Sequence, residues 1–245
     1  MNIINKNSLY NCIDLVLKNS FHRDVKSFVI RRKKISEFQY NIINRYWKKF
    51  CINFIYLRKI KHFFLNKNPI IIDIGFGDGK KILYDAIQNY RVNFLGIEVF
   101  LKGILYCLNR CYINNIKNFK IICYDAFYVF KYMLLDNSIF KIQIFFPDPW
   151  KKRKHNKRRL INLMFLSLIK MKLQKNGILH IITDCRSYYK NIVKNISIIK
   201  CFKKFFFIEM TTKRCKKTFF NCNTKYEIKA KNKKKFIYNM IYIKN

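Results

Sequence analysis

Five short apolar runs rich in β-branched and aromatic residues, at 70–74, 93–99, 119–124, 140–146 and 177–183, are separated by segments long enough for helices. Strands joined by helical crossovers pair in parallel, so the alternation calls for an α/β fold with helices on both faces of one sheet. Two more strand candidates, 203–210 and 236–243, are placed to finish the sheet with an antiparallel edge. The expectation is a mostly parallel seven-stranded sheet, its last strand antiparallel. Upstream, Ser36 followed by Gln39 reads as a capping box, and Ile42, Ile43, Tyr46, Trp47 and Phe50 recur at helical spacing, which predicts a helix over 36–60. Residues 1–35 are basic, end in Arg31-Arg32-Lys33-Lys34 and show no period, as expected of a mobile arm. The domain proper then spans 36–245.

In a parallel sheet, ligands bind beyond the carboxyl ends of the strands. Asp73, Glu98, Asp125, Asp148 and Asp184 stand at or just beyond the ends of the five runs, in a chain with only 13 acidic residues. They outline an acidic-lined pocket in a protein that carries 51 Lys and Arg and a formal charge of +38. Such a charge attracts polyanions, RNA foremost. Because lysine is cheap in so biased a composition, only local clustering counts as evidence.

Scarce residues cluster twice. Three of the six glycines, Gly75, Gly77 and Gly79, follow Asp73 between a strand and a helix, where they permit a tight turn and close approach of a ligand to the backbone. Position 80 is Lys and no third glycine has the offset of the dinucleotide fingerprint, so a nicotinamide enzyme is disfavoured. The turn suits a ligand with nucleoside and amino-acid arms, such as S-adenosylmethionine. Glu98 then stands where a carboxylate accepts from ribose hydroxyls. Asp125 reads equally as an acceptor for an adenine amino group and as a helix N-cap.

Two of the three prolines fall in Phe146-Pro147-Asp148-Pro149-Trp150, and seven of the nine residues from Lys151 to Arg159 are Lys or Arg. Proline fixes φ and removes a donor, so Asp148 is carried by a loop with little freedom. Trp150 adds a stacking face and the basic run adds phosphate contacts. An adenine amino-group methyltransferase would show a second proline directly after the first Asp-Pro or Asn-Pro, and Trp150 stands there instead. An alternative of another class is a basic RNA-binding protein that keeps the fold of an enzyme without its activity, against which the acids at every strand end argue.

The nine cysteines are scattered singly with no C-x-x-C, so no metal site is expected and free thiols in a reducing cytoplasm fit best. Asp14 and Lys18 interrupt any apolar leader, and no run has the length of a membrane span. Nothing in the sequence asks for an obligate protein partner.

The segments Asp73 to Gly79, Phe94 to Val99, Phe145 to Trp150 with His155 to Arg159, Thr183-Asp184, and Thr224 to Glu227 resemble the bacterial tRNA (guanine-N7)-methyltransferases of the TrmB type. The resemblance implies a Rossmann-like class I methyltransferase that moves a methyl group from S-adenosylmethionine to guanine 46 in the variable loop of tRNA. It further implies cofactor binding at Asp73, Gly75, Gly77, Gly79, Glu98, Asp125 and Asp148, with Asp148 also catalytic. Lys152, Asp184, Thr224, Lys225, Tyr226 and Glu227 match substrate-binding positions, and Lys154, His155, Asn156, Lys157, Arg158 and Arg159 match the RNA-contacting segment. Departures from the family pattern fall at Asp73, often Glu, at Cys185, commonly Trp, and at Asn221, often Arg.

Overall fold

The computed structural model describes residues 26–29, 36–54, 64–210 and 225–245. Most of the expected arm, the far end of the expected first helix, Thr224 and Asn221 lie outside the described residues, as does the side chain of Lys225.

The elements run α1 (Glu37–Phe50), β1 (Ile70–Ile74), α2 (Lys80–Gln88), β2 (Asn93–Ile97), α3 (Leu101–Ile113), β3 (Phe119–Ile122), α4 (Ala126–Tyr132) and β4 (Ile139–Phe145). A 3-10 turn at Arg153–Arg158, α5 (Leu163–Lys172), β5 (Leu173–Thr183), α6 (Arg186–Ile199), β6 (Phe202–Met210), α7 (Lys225–Asn232) and β7 (Ile237–Lys244) complete the chain. The seven strands form one sheet in the order β3-β2-β1-β4-β5-β7-β6. β2 pairs parallel with β3 and β4 with β5, while β7 runs antiparallel to both β5 and β6. The antiparallel strand therefore lies inside the sheet, and β6 forms the edge. Burial accounts for the choice: β7 is buried over its first six residues, whereas Lys203 and Lys204 on β6 face solvent, as suits an edge.

The described residues divide into two compact units. One takes the chain up to Leu134 except Ile70–Ile72; the other takes Ile70–Ile72 and the residues from Leu135 on. In the first, α1 begins with the predicted capping box: Ser36 Oγ accepts from the Gln39 amide at 3.3 Å, and Gln39 Oε1 accepts from the Ser36 amide at 3.1 Å. The five apolar residues of its stripe are all buried. The helix stops at Phe50, short of the expected 60. Cys51 turns extended and pairs with Ile121, and the Ile52 amide donates to the Ile121 carbonyl at 2.8 Å, so an open strand edge outcompetes another helical turn. In the second unit, Ile182, Ala230 and Ile237 form a core against which Phe145 and Phe146 pack.

Candidate active site

In the first unit, the chain leaves β1 through three glycines, Gly75, Gly77 and Gly79, with φ of 77°, 61° and 73°. These are left-handed values that a side chain would oppose. The Gly75 amide donates to the Ile97 carbonyl at 2.8 Å, tying the turn to the end of β2. Glu98, next in the chain, ties it again. Its Oε2 accepts from the Gly77 amide at 2.8 Å, and its Oε1 accepts from the Val99 and Phe100 amides at 2.7 and 2.9 Å. One nearly buried carboxylate thus fixes both the glycine turn and the start of α3. That helix presses on the turn from behind: a Cβ on Gly103 would lie 2.2 Å from the Gly77 carbonyl oxygen. Beside Gly75 and Gly77, by contrast, a Cβ would meet nothing within 4 Å. The turn is braced on the protein side and open beside Gly75 and Gly77, so a ligand can approach its backbone closely there.

Asp73 is buried at the end of β1, and Asp125 is buried ahead of α4. One Asp125 oxygen accepts from the Phe127 amide at 2.9 Å, so the N-cap reading of this residue holds whatever else it binds. Beside it, burial and the neighbouring Tyr128 and Asp125 push the Tyr124 phenol up to about 12, and Phe54 stacks on its ring at 3.8 Å.

In the second unit, Pro147-Asp148-Pro149 is bracketed by two aromatic residues in the left-handed region, Phe146 with φ of 50° and Trp150 with φ of 42°. Such backbone costs about 1–3 kcal/mol per residue and persists only where surroundings impose it. Phe146 is held by the apolar core and stacks with Tyr226 at 6.3 Å. Trp150 lies under the Arg158 guanidinium at 3.7 Å and meets the His155 ring edge-on at 5.9 Å. Asp148 itself is solvent-exposed.

The basic run forms the 3-10 turn. Lys152, Lys154, Asn156 and Lys157 are exposed, and His155 and Arg158 are half-buried. Arg159 departs from the expectation of an RNA-facing residue. Only 3% of it is exposed, and its donors go to Pro149 and Ser187. Nothing in a run of lysines and arginines distinguishes its one internal member; the signal is tertiary, in partners 10 and 28 residues away. Asp184, after β5, makes an ion pair with Lys235. Tyr226 and Glu227 sit on the first turn of α7, Tyr226 exposed and Glu227 buried. Lys235 and Ser187 had no sequence signal at all. Among the described residues, no group of three His, Cys, Asp or Glu side chains is arranged to hold a metal ion, and no helix is long and apolar enough to cross a membrane.

A sheet ordered 3-2-1-4-5-7-6 with β7 antiparallel, and a glycine turn after β1 pinned by the acid after β2, define the Rossmann-like fold of the class I methyltransferases. The chain belongs to the family described as "Putative methyltransferase", whose model matches residues 67–240. It is 38% identical over 239 residues to the tRNA (guanine-N(7)-)-methyltransferase of Buchnera aphidicola subsp. Schizaphis graminum, covering 95% of each chain. To the tRNA (guanine-N(7)-)-methyltransferase of Histophilus somni (strain 2336) it is 39% identical over 169 residues, 69% of this chain and 67% of that one. A solved antibiotic-related methyltransferase matches with a TM-score of 0.53 across 76% of this chain and 98% of its own; at 17% identity the likeness is one of fold.

Proposed function

We propose that this protein transfers a methyl group from S-adenosylmethionine to N7 of a guanine in tRNA, at position 46 of the variable loop, and works in the cytoplasm. The observation that carries the reading is the 38% identity to a tRNA (guanine-N(7)-)-methyltransferase over 95% of both chains. The local geometry supports it. The glycine turn offers braced backbone and open space, and Asp73, Glu98 and Asp125 add carboxylates at the ends of three strands, a set that fits a nucleoside with an amino-acid arm. When bound, S-adenosylmethionine supplies an electrophilic methyl group on a sulfonium.

Guanine N7 carries a lone pair and no proton, so the protein's task is alignment rather than proton removal. Methylation leaves the purine cationic. Asp148, on its proline-fixed loop, is the carboxylate assigned to stabilise that growing charge. Asp184 accepts from the Watson-Crick edge of the base, a role in which guanine replaces Lys235 as its partner. Tyr226 offers an exposed ring for stacking beside Phe146, and Thr224, Lys225 and Glu227 complete the substrate side. Lys152, Lys154, His155, Asn156, Lys157 and Arg158 take the phosphates.

The test replaces one atom of the substrate. A tRNA carrying guanosine at position 46 is expected to accept one methyl group, and the same tRNA with 7-deazaguanosine there, which has carbon in place of N7, is expected to accept none. Equal methylation of both overturns the assignment to N7.

A further inference from the structure

Arg159 closes a run of seven basic residues, yet it is 3% exposed and works inside the protein. Its Nε donates to the Pro149 carbonyl at 3.0 Å and its Nη2 to Ser187 Oγ at 3.0 Å, with a longer contact from Nη1 to the Ser187 carbonyl at 3.5 Å. The guanidinium lies 4.9 Å from the centre of the Tyr188 ring. Its backbone is equally fixed. The Arg159 amide donates to the Asn156 carbonyl at 3.0 Å, the Asn162 side chain donates to the Arg159 carbonyl at 3.2 Å, and the Ile161 amide donates to the Tyr188 hydroxyl at 3.0 Å.

The loop on the other side of this contact has two prolines and so fewer amides by which it can be held. Pro147 and Pro149 have no backbone N–H, and the loop is flanked by left-handed Phe146 and Trp150. The carbonyl of Pro149 is the point at which Arg159 grips it. Ser187 stands in the first turn of α6, three residues past Asp184. A planar fork that donates along two fixed directions is what a guanidinium provides and an ammonium does not.

We propose that Arg159 is a positioning residue: through the Pro149 carbonyl and Ser187 it ties the Asp148 loop to the start of the helix after Asp184, and so sets where the Asp148 carboxylate stands. The proposal rests on the reading of this protein as a tRNA guanine-N7 methyltransferase. It separates the basic run into a surface that binds RNA, ending at Arg158, and one internal brace.

The experiment compares Arg159→Met, Arg159→Lys and Ser187→Ala with Arg158→Ala in the full chain. Loss of alignment by about 1 Å costs roughly 100-fold in rate, so Arg159→Met is expected to lower the methylation rate at saturating tRNA on that order. Its KM and Kd for tRNA and the salt dependence of binding are expected to stay within about threefold of wild type. Arg159→Lys keeps the charge and is expected to show the same loss, because one ammonium cannot serve both acceptors; Ser187→Ala is expected to show a smaller one. Arg158→Ala is expected to do the reverse, weakening tRNA binding and flattening its salt dependence. Amide hydrogen exchange at Lys151 and Lys152 is expected to quicken more in Arg159→Met, Arg159→Lys and Ser187→Ala than in Arg158→Ala, which loses the contact with the Trp150 ring but keeps the grip on the Pro149 carbonyl. Should Arg159→Met fail to fold, Arg159→Lys and Ser187→Ala carry the comparison. An Arg159 variant that loses tRNA affinity as Arg158→Ala does, or one with wild-type rate and exchange, overturns the brace. If the wild-type protein methylates no tRNA, the functional reading fails by itself, and exchange in the loop still decides for or against the brace.

Discussion

Glu98 accepts from three backbone amides, those of Gly77, Val99 and Phe100. Glu98→Gln keeps the shape but points an amide N–H at one of those donors. The variant is expected to unfold about 1–3 kcal/mol more easily and to bind S-adenosylmethionine at least about tenfold more weakly; urea unfolding and calorimetry check the two effects, and wild-type values in both contradict the assignment. Asp148 presents the opposite case. It is exposed and its loop is held by others, so Asp148→Ala is expected to leave the melting temperature and tRNA affinity close to wild type while abolishing methyl transfer in single-turnover assays. An Asp148→Ala enzyme of full activity removes the residue from the mechanism. These carboxylates were legible in the sequence because acids are rare in this chain and fall at strand ends. Arg159 was not legible, since which member of a basic run turns inward depends on a carbonyl and a hydroxyl supplied by the fold.

The packing of α3 on the glycine turn is as close as backbone allows. With a Cβ on Gly103 2.2 Å from the Gly77 carbonyl oxygen and 2.9 Å from its carbon, neither atom can swing aside as a side chain would. Gly103→Ala is therefore expected to push α3 off the turn, costing about 1–3 kcal/mol in unfolding free energy and weakening cofactor binding; a variant with unchanged denaturation midpoint and affinity contradicts this packing. Gly103 attracted no notice in the sequence, where it is one glycine inside a helical pattern, and only the approach of another element shows what it is for. The strands and the capping box were readable from local pattern, because period, propensity and cap chemistry act over a few neighbours. The end of α1 and the interior position of β7 were not, because each is decided by a strand edge distant in sequence.

Charge and burial set how the whole chain responds to its solvent. Burial raises the Cys107 thiol well above its ordinary 9.0, raises Tyr124 to about 12, and raises Tyr188 and Tyr242 above the usual phenol range. In each case the folded form holds its proton longer than the unfolded chain. The stabilisation is full below the unfolded values and declines as pH rises past about 9 for the thiol and 10 for the phenols, where the unfolded state alone ionises. Urea unfolding midpoints are expected to hold through pH 8 and to fall from pH 9 to 11; a flat profile contradicts the burial of these groups. The net charge of +38 makes tRNA binding salt-dependent in any account, so the diagnostic is the change in slope. Replacing Lys152, Lys154, Lys157 and Arg158 by Ala is expected to reduce it by about 0.7–0.9 log units for each phosphate no longer neutralised. An unchanged slope takes the 3-10 turn out of the interface.

The most direct measurement incubates the purified protein with unmodified tRNA and S-adenosylmethionine, digests the RNA and identifies its nucleosides by chromatographic retention against standards and by mass. The expected product is 7-methylguanosine, which is expected to disappear when guanine 46 is replaced by adenine. N6-methyladenosine, or no methylated nucleoside from a protein that binds both S-adenosylmethionine and tRNA, contradicts it.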